Sequence, residues 1–200
     1  QMVSGIGNAG IKRLLAYFGS AASVWNAAEN EILGSKCLSE SLCRKLFKQR
    51  RSIDLSAEAA KWDKTGIKII TIYDDKYPEL LKNIYNPPVV LFYRGSICTN
   101  KHLAIVGSRK FSVYGKSVAQ TLAADLAKKG FVIVSGAARG IDTFAHCGAL
   151  PNGKTVAVLG CGVDIAYPRE NKKMLDEIAE SGAVVSEYAP GTQPLAAFFP

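Results

Sequence analysis

No apolar run in the 200 residues approaches the roughly 20 that a helix needs to span a bilayer, so no membrane helix and no membrane partner are expected. The start, QMVSGIG, lacks a charged segment followed by an apolar one; no signal peptide is expected, and the expected compartment is cytoplasmic. Histidine is scarce, at two residues, and the five cysteines (Cys37, Cys43, Cys98, Cys147 and Cys161) are odd in number and scattered. None forms a C-x-x-C pair, so neither a zinc site nor a disulfide framework is expected, and buried free thiols are the plain reading. A polycationic tail is missing too. The formal net charge is +8, yet bases exceed acids by only three over 1–60, three over 61–101 and two over 102–200. Net charge by itself therefore says little about nucleic acid. Three nucleotide and nucleophile signatures are also missing from the places where they would act. The first strand of the later α/β pattern runs into G-S-R-K-F-S-V-Y-G, not the G-x-G-x-x-G that a dinucleotide pyrophosphate needs. No G-x-S-x-G occurs, which excludes a nucleophile elbow, and the G-x-x-x-x-G-K-T from Gly148 to Thr155 leads into the β-branched run Thr155 to Leu159 and not into a helix, so no P-loop ATPase is expected. No cofactor is expected.

The texture of the sequence changes along its length, and about half of it (48%) is apolar, enough for a sizeable core. Residues 1–65 read as a small all-α domain. Ile11, Leu14, Leu15 and Phe18 recur at helical spacing before Gly19-Ser20; Val24, Trp25 and Ala28 mark a second turn, Leu38, Leu42, Leu46 and Phe47 a third helix, and Leu55 to Trp62 a fourth. The Gly5-Ile6-Gly7 turn ahead of the first helix is similar to that of helix-hairpin-helix folds, where N–H groups lie against a phosphate; a plain helix-entry turn is the simpler account. Residues 66–101 read as a connecting extension that adds edge strands, from the β-branched run Ile67 to Ile72 and the run Val89 to Tyr93. Tyr77-Pro78 and Pro87-Pro88 punctuate the loops between them.

From residue 102 to residue 200 the pattern alternates strand, glycine loop and helix. Strands are expected at His102 to Val106, Phe131 to Val134, Thr155 to Leu159 and Ala183 to Val185, with helices at 113–129, 141–149 and 170–181. In the first helix Val118, Ala119, Leu122, Ala123, Leu126 and Ala127 are expected to share the apolar face. The expected fold class is α/β, a Rossmann-like doubly wound, mainly parallel sheet preceded by a small all-α domain of sterile-alpha-motif (SAM) or helix-hairpin-helix type.

Open parallel sheets bind ligands outside the carboxyl ends of their strands. Those ends supply Gly107-Ser108-Arg109, then Ser135-Gly136 with Arg139-Gly140, then Gly160-Cys161-Gly162, with Arg169 following Tyr167-Pro168. Glycine lets N–H groups approach an anion, and arginine adds bidentate contact to phosphate oxygens, so the pattern predicts a phosphate-binding crevice. A catalytic alternative is a relay of Ser135, Asp142 and His146. The simpler expectation is a helix-internal hydrogen bond between Asp142 and His146, which lie four residues apart.

The segments AIVGSRKFSVYG, IVSGAARGIDTFAH, TVAVLGCGVDIAYPREN and SEYAPGTQP, with YPELLKNIYNPPVVLFYRG and GIG…LLAYFGSAASVW upstream, together resemble the bacterial DNA-processing protein A family (DprA/Smf). The resemblance implies a protein without catalytic activity that binds single-stranded DNA during natural transformation, protects it and loads the RecA recombinase. It implies that Arg109 and Arg169 hold the DNA backbone, and a homodimer in the full-length protein. Lys172 stands where some relatives place an aromatic that stacks on a base, which shifts the expected balance toward charge. Family members continue past the dipeptide at Phe199-Pro200, so the sheet is expected to be incomplete. The alternative function is a nucleotide-processing, phosphoribohydrolase-like enzyme of a related fold, whose P-G-G-x-G-T-x-x-E signature is missing, with P-G-T-Q-P at 190–194 only a faint echo.

Overall fold

The computed structural model describes residue 3, residues 5–98 and residues 101–199; part of the QMVSGIG start and the final proline lie outside the described residues. The chain divides into two compact units, Gln1–Thr65 with Thr71–Val90, and Gly66–Ile70 with Leu91–Pro200.

The first unit contains helices α1 (Asn8–Phe18), α2 (Ala21–Asn26), α3 (Glu29–Gly34), α4 (Glu40–Arg50) and α5 (Leu55–Lys64). Side-chain caps start three of them. Ser20 accepts from Ser23 N, Ser39 from Leu42 N, and Asp54 from Ser56 N and Ala57 N, so N–H groups without a helical partner are satisfied. Leu14, Ile32, Leu38, Cys43, Leu46 and Phe47 form the core. Helix α3 was not among the expected elements. Its six residues, ENEILG, bury only Ile32 and are too short to show a periodic face. The short α6 (Glu79–Lys82) also belongs here. Its flanks are tied down by Tyr77 Oη donating to Pro88 O (2.7 Å) and Val89 N donating to Asn8 Oδ1 (3.2 Å).

The second unit is built on a six-stranded sheet of β1 (Lys68–Thr71), β2 (Val90–Gly95), β3 (His102–Ala104), β4 (Val132–Ser135), β5 (Thr155–Leu159) and β6 (Ala183–Ser186), in the order β1-β2-β6-β5-β4-β3. Strand β2 is antiparallel to β6, whereas β3, β4, β5 and β6 are mutually parallel, with Leu103 opposite Ile133, Val134 opposite Val156 and Ala157 opposite Val184. The mainly parallel Rossmann-like α/β sheet expected from the strand–helix alternation is the one observed. Its connections are α7 (Val113–Lys128), α8 (Ile141–Ala149) and α9 (Lys172–Ser181), the last preceded by a 3₁₀ turn at Arg169–Asn171.

Helix α7 departs from expectation in which residues it buries. Ala119, Ala123 and Ala127 are inside, while Val118 and Leu122 remain 42% and 47% exposed. The cause is the closeness of α8. Ala123 and Ala127 meet Ala145 and Ala149 over Ile133, and a Cβ on Gly148 would collide with the carbonyl of Gln120. Helices this close admit only small side chains between them, so alanine takes the inner stripe and the larger residues turn outward. The arrangement fixes the second half of α8 against α7.

Candidate nucleic-acid interface

The loops after β3 and β4 are joined to each other. Ser135, 2% exposed, donates its hydroxyl proton to Ile105 O (2.6 Å), linking the two strand ends. Ile141 N donates to Ser108 O (3.3 Å). Gly140 has φ +89° and lies against the Ser108–Arg109 backbone, where a Cβ would collide. Gly107 leaves room for Ile141, since a Cβ there would approach its side chain to 2.9 Å.

Asp142, buried in the first turn of α8, accepts from Gly107 N (3.3 Å) and Gly136 N (3.0 Å). Its carboxylate thus occupies the place an anion would take between these two amides. The expected Asp142–His146 hydrogen bond does not form. His146 Nδ1 instead meets Thr155 Oγ1 at 2.7 Å, and Thr155 gives its own proton to Ile133 O (2.6 Å), so the imidazole donates through Nδ1. Asp142 is drawn away by two backbone donors, and α8 carries His146 over β5. Ser135, Asp142 and His146 each have a different partner and form no relay. Burial holds the His146 pKa down to about 4 and pushes the Cys161 thiol up to about 11, so the imidazole is neutral and the thiol protonated at neutral pH.

Three arginines mark the outer surface of these joined loops. Arg109 is exposed and its backbone lies against Gly140, next to Arg139 in the chain. Arg139 Nε contacts Glu170 Oε1 at 2.5 Å, with side chains 69% and 52% exposed. Glu170 follows Arg169, itself exposed, in the 3₁₀ turn. The contact holds the Glu170 carboxyl below its ordinary range. Buried Asn171 fixes that turn to the β4 loop, its Nδ2 donating to Ala137 O and Thr143 Oγ1 (both 2.9 Å). Ala137 is a non-glycine residue at φ +53°, a left-handed conformation that this clamp helps maintain. Lys172, in the first turn of α9, is exposed and 3.9 Å from Asp176. Ser108 Oγ accepts from Lys110 N (3.0 Å).

Gly160 and Gly162 serve the chain itself. Gly162 N donates to Thr192 O (2.9 Å), and a Cβ there would come within 2.5 Å of Asp164 Oδ1, which accepts from Gly191 N. A Cβ on Gly160 would meet Phe198 O at 2.6 Å and the Phe199 ring at 2.9 Å. The structure therefore brings Ser108, Arg109, Arg139 and Arg169 together on accessible loops. Gly107, Ser135, Gly136, Gly140, Gly160 and Gly162 hold those loops against neighbouring chain, and Lys172 follows one turn along.

Sequence reasoning missed two groups. Asn171 and Glu170, with Asp142 in a role other than the expected one, set the loop geometry, and nothing in their spacing reveals that their partners are backbone groups of other loops or an arginine 31 positions earlier. Phe111 (46% exposed) and Tyr114 (79%) lie just after Arg109, and the Phe111 ring packs edge-on against Phe144 at 4.6 Å. Aromatics interleaved with Arg109, Lys110 and Lys116 were the available signal. Among the described residues no cluster of His, Cys, Asp and Glu fits a metal ion, and no helix is long and apolar enough to cross a membrane.

This chain is similar to known proteins over most of its length. It is 47% identical to the DNA processing protein DprA of Streptococcus pneumoniae over 133 residues, covering 65% of this chain and 47% of that protein. Protein Smf of Synechocystis is 33% identical across 100% of this chain and 52% of its own length. The chain thus spans about half the length of these curated relatives. The X-ray structure of S. pneumoniae DprA superposes with a TM-score of 0.79 at 36% identity, covering all of this chain and 69% of that one. DprA of Helicobacter pylori, described for its single-stranded DNA binding mode, gives a TM-score of 0.59 at 36% identity over 66% of this chain and 61% of its own. The family model for DNA recombination-mediator protein A matches residues 68–200, which take in the sheet, the joined glycine loops and all three arginines. By that match the chain belongs to the DNA recombination-mediator protein A family.

Proposed function

We infer that the joined loops after β3 and β4 and the 3₁₀ turn before α9 hold single-stranded DNA by its phosphates, without chemistry on it. The observation that carries this is the convergence of Arg109, Arg139 and Arg169 on three accessible loops fixed to one another by buried hydrogen bonds. Loops fixed in advance present their arginines to phosphate with little backbone ordering cost, and arginine suits phosphate through bidentate contact. Phe111 and Tyr114 offer faces on which bases stack at about 1–3 kcal/mol each, independent of sequence. The glycines and Ser135 shape the crevice, while Ser108, the arginines and Lys172 face the strand. Support for the ligand comes from the H. pylori relative, described for binding single-stranded DNA. In the full-length cytoplasmic protein, acting as a homodimer, the bound strand would be protected and passed to the RecA recombinase, in keeping with the family's description as a recombination mediator.

The test is a salt-titrated binding curve of full-length protein for single-stranded oligonucleotides. Replacing Arg109 and Arg169 by alanine is expected to weaken binding and to reduce the slope of log K against log salt by about 0.7 per lost contact. Unchanged affinity and slope would overturn the site. Release of base from nucleoside monophosphates by purified protein would overturn the non-enzymatic assignment.

A further inference from the structure

The first unit carries a cationic face that the crevice does not use. Six of the basic residues in that unit fall between positions 36 and 51, and the only acid in this stretch is Glu40. Lys36 lies ahead of α4, in the turn after α3, and two of the other five are already engaged. Arg44 pairs with Glu40 one turn earlier at 2.5 Å. Arg50 turns inward, its Nη1 donating to Trp25 O and Ala27 O and its guanidinium lying 4.2 Å over the Phe47 ring. Lys45, Lys48 and Arg51 are different. All three are exposed, and no carboxylate lies within ion-pair distance of them among the described residues.

Lys45 and Lys48 lie on the side of α4 away from Cys43, Leu46 and Phe47, which point into the core, and Arg51 follows at the residue that caps its end. Residues three or four apart on a helix have Cβ atoms about 5–6 Å apart, so the three charges form a row along the helix. At its start the row reaches the Gly5 turn, where Lys45 Nζ lies 3.7 Å from the position a Cβ on Gly5 would take. Ser41, Arg44 and Ser52 complete the exposed face, and no large apolar side chain belongs to it.

We propose that the α4 face formed by Lys45, Lys48 and Arg51 is a second nucleic-acid contact, binding the phosphate backbone without reading sequence. A protein partner is less well matched, because protein interfaces are built around a desolvated apolar or aromatic centre and are depleted in lysine. A phosphate backbone needs only a row of cations with accessible counterions. The proposal concerns a different unit and different residues from the crevice, and each can fail alone.

The experiment uses the whole chain with Lys45, Lys48 and Arg51 all changed to glutamine, which preserves length and helix propensity while removing charge. Binding to a long single-stranded and a long double-stranded oligonucleotide is measured from low to high salt, beside the Arg109→Ala/Arg169→Ala variant. The triple variant is expected to bind about tenfold more weakly at low salt, with a slope reduced by about 2 for single strands, and the difference should close as salt rises. Changing Lys45 and Lys48 to arginine instead should retain wild-type binding. Wild-type affinity and slope in the glutamine variant would overturn the proposal, whatever the crevice variant does. Loss of poly-glutamate binding with oligonucleotide binding intact would overturn it in favour of an acidic protein partner. If the crevice variant binds normally and the triple variant does not, the α4 face stands and the crevice assignment falls.

Discussion

At His146 the imidazole is fully enclosed, and burial holds its pKa down to about 4 against an ordinary 6.5. A histidine kept neutral by folding stabilises the fold fully above pH 6.5. The contribution is lost as pH falls from 6.5 toward 4, because the unfolded chain takes up the proton first. By pH 5 the loss amounts to about 2 kcal/mol. The urea midpoint, followed by amide signals of β4 and β5, should therefore fall between pH 7 and pH 5 by more in the wild type than in His146→Gln, which cannot titrate there. Equal falls would mean that the acid sensitivity lies elsewhere. The residue was visible in the sequence, and its spacing from Asp142 fits one helical turn. The partners were not visible, because Asp142 finds two backbone N–H groups and His146 a threonine on the next strand. Backbone donors leave no mark in a pattern of side chains.

Between elements, the pair Arg139–Glu170 closes the β4 loop on the 3₁₀ turn, and it sets an acid among the three arginines. A phosphate arriving at Arg139 competes with that carboxylate. Glu170→Gln should therefore tighten single-stranded DNA binding by about two- to fivefold, as expected for release from an exposed ion pair. The same substitution in an Arg139→Ala background should gain less, which a double-mutant cycle of dissociation constants would read. Looser binding by Glu170→Gln would mean that the pair positions Arg139 more than it occupies it. Legibility at this scale was uneven for a physical reason. Strands β4 and β5 and helices α7 to α9 stood out because their lengths and periods are those of packed elements. The buried stripe of α7 was misjudged because hydrophobicity favours Val118 and Leu122, whereas the approach of α8 selects Ala119, Ala123 and Ala127. The glycines signalled loops correctly, but their small size accommodates neighbouring chain at Gly140, Gly160 and Gly162.

For the molecule as a whole, a charge of +8 spread through both units gives little contrast along the sequence, yet folding sorts it into exposed cations and cations already engaged. That sorting was out of reach of counting, since Arg50 and Arg51 are neighbours with opposite fates. The Asp142 clamp has a consequence in time as well as in space. The amides of Gly107 and Gly136 are already bonded to the protein's own carboxylate before any ligand arrives. In deuterated water these two N–H groups should exchange slowly in the free protein, and saturating oligonucleotide should leave their rates nearly unchanged. Marked slowing of either amide on binding would show a loop that orders only around its ligand. With the rates unchanged, the glycine loops are a surface finished in advance, and a strand meeting them has nothing there to fold.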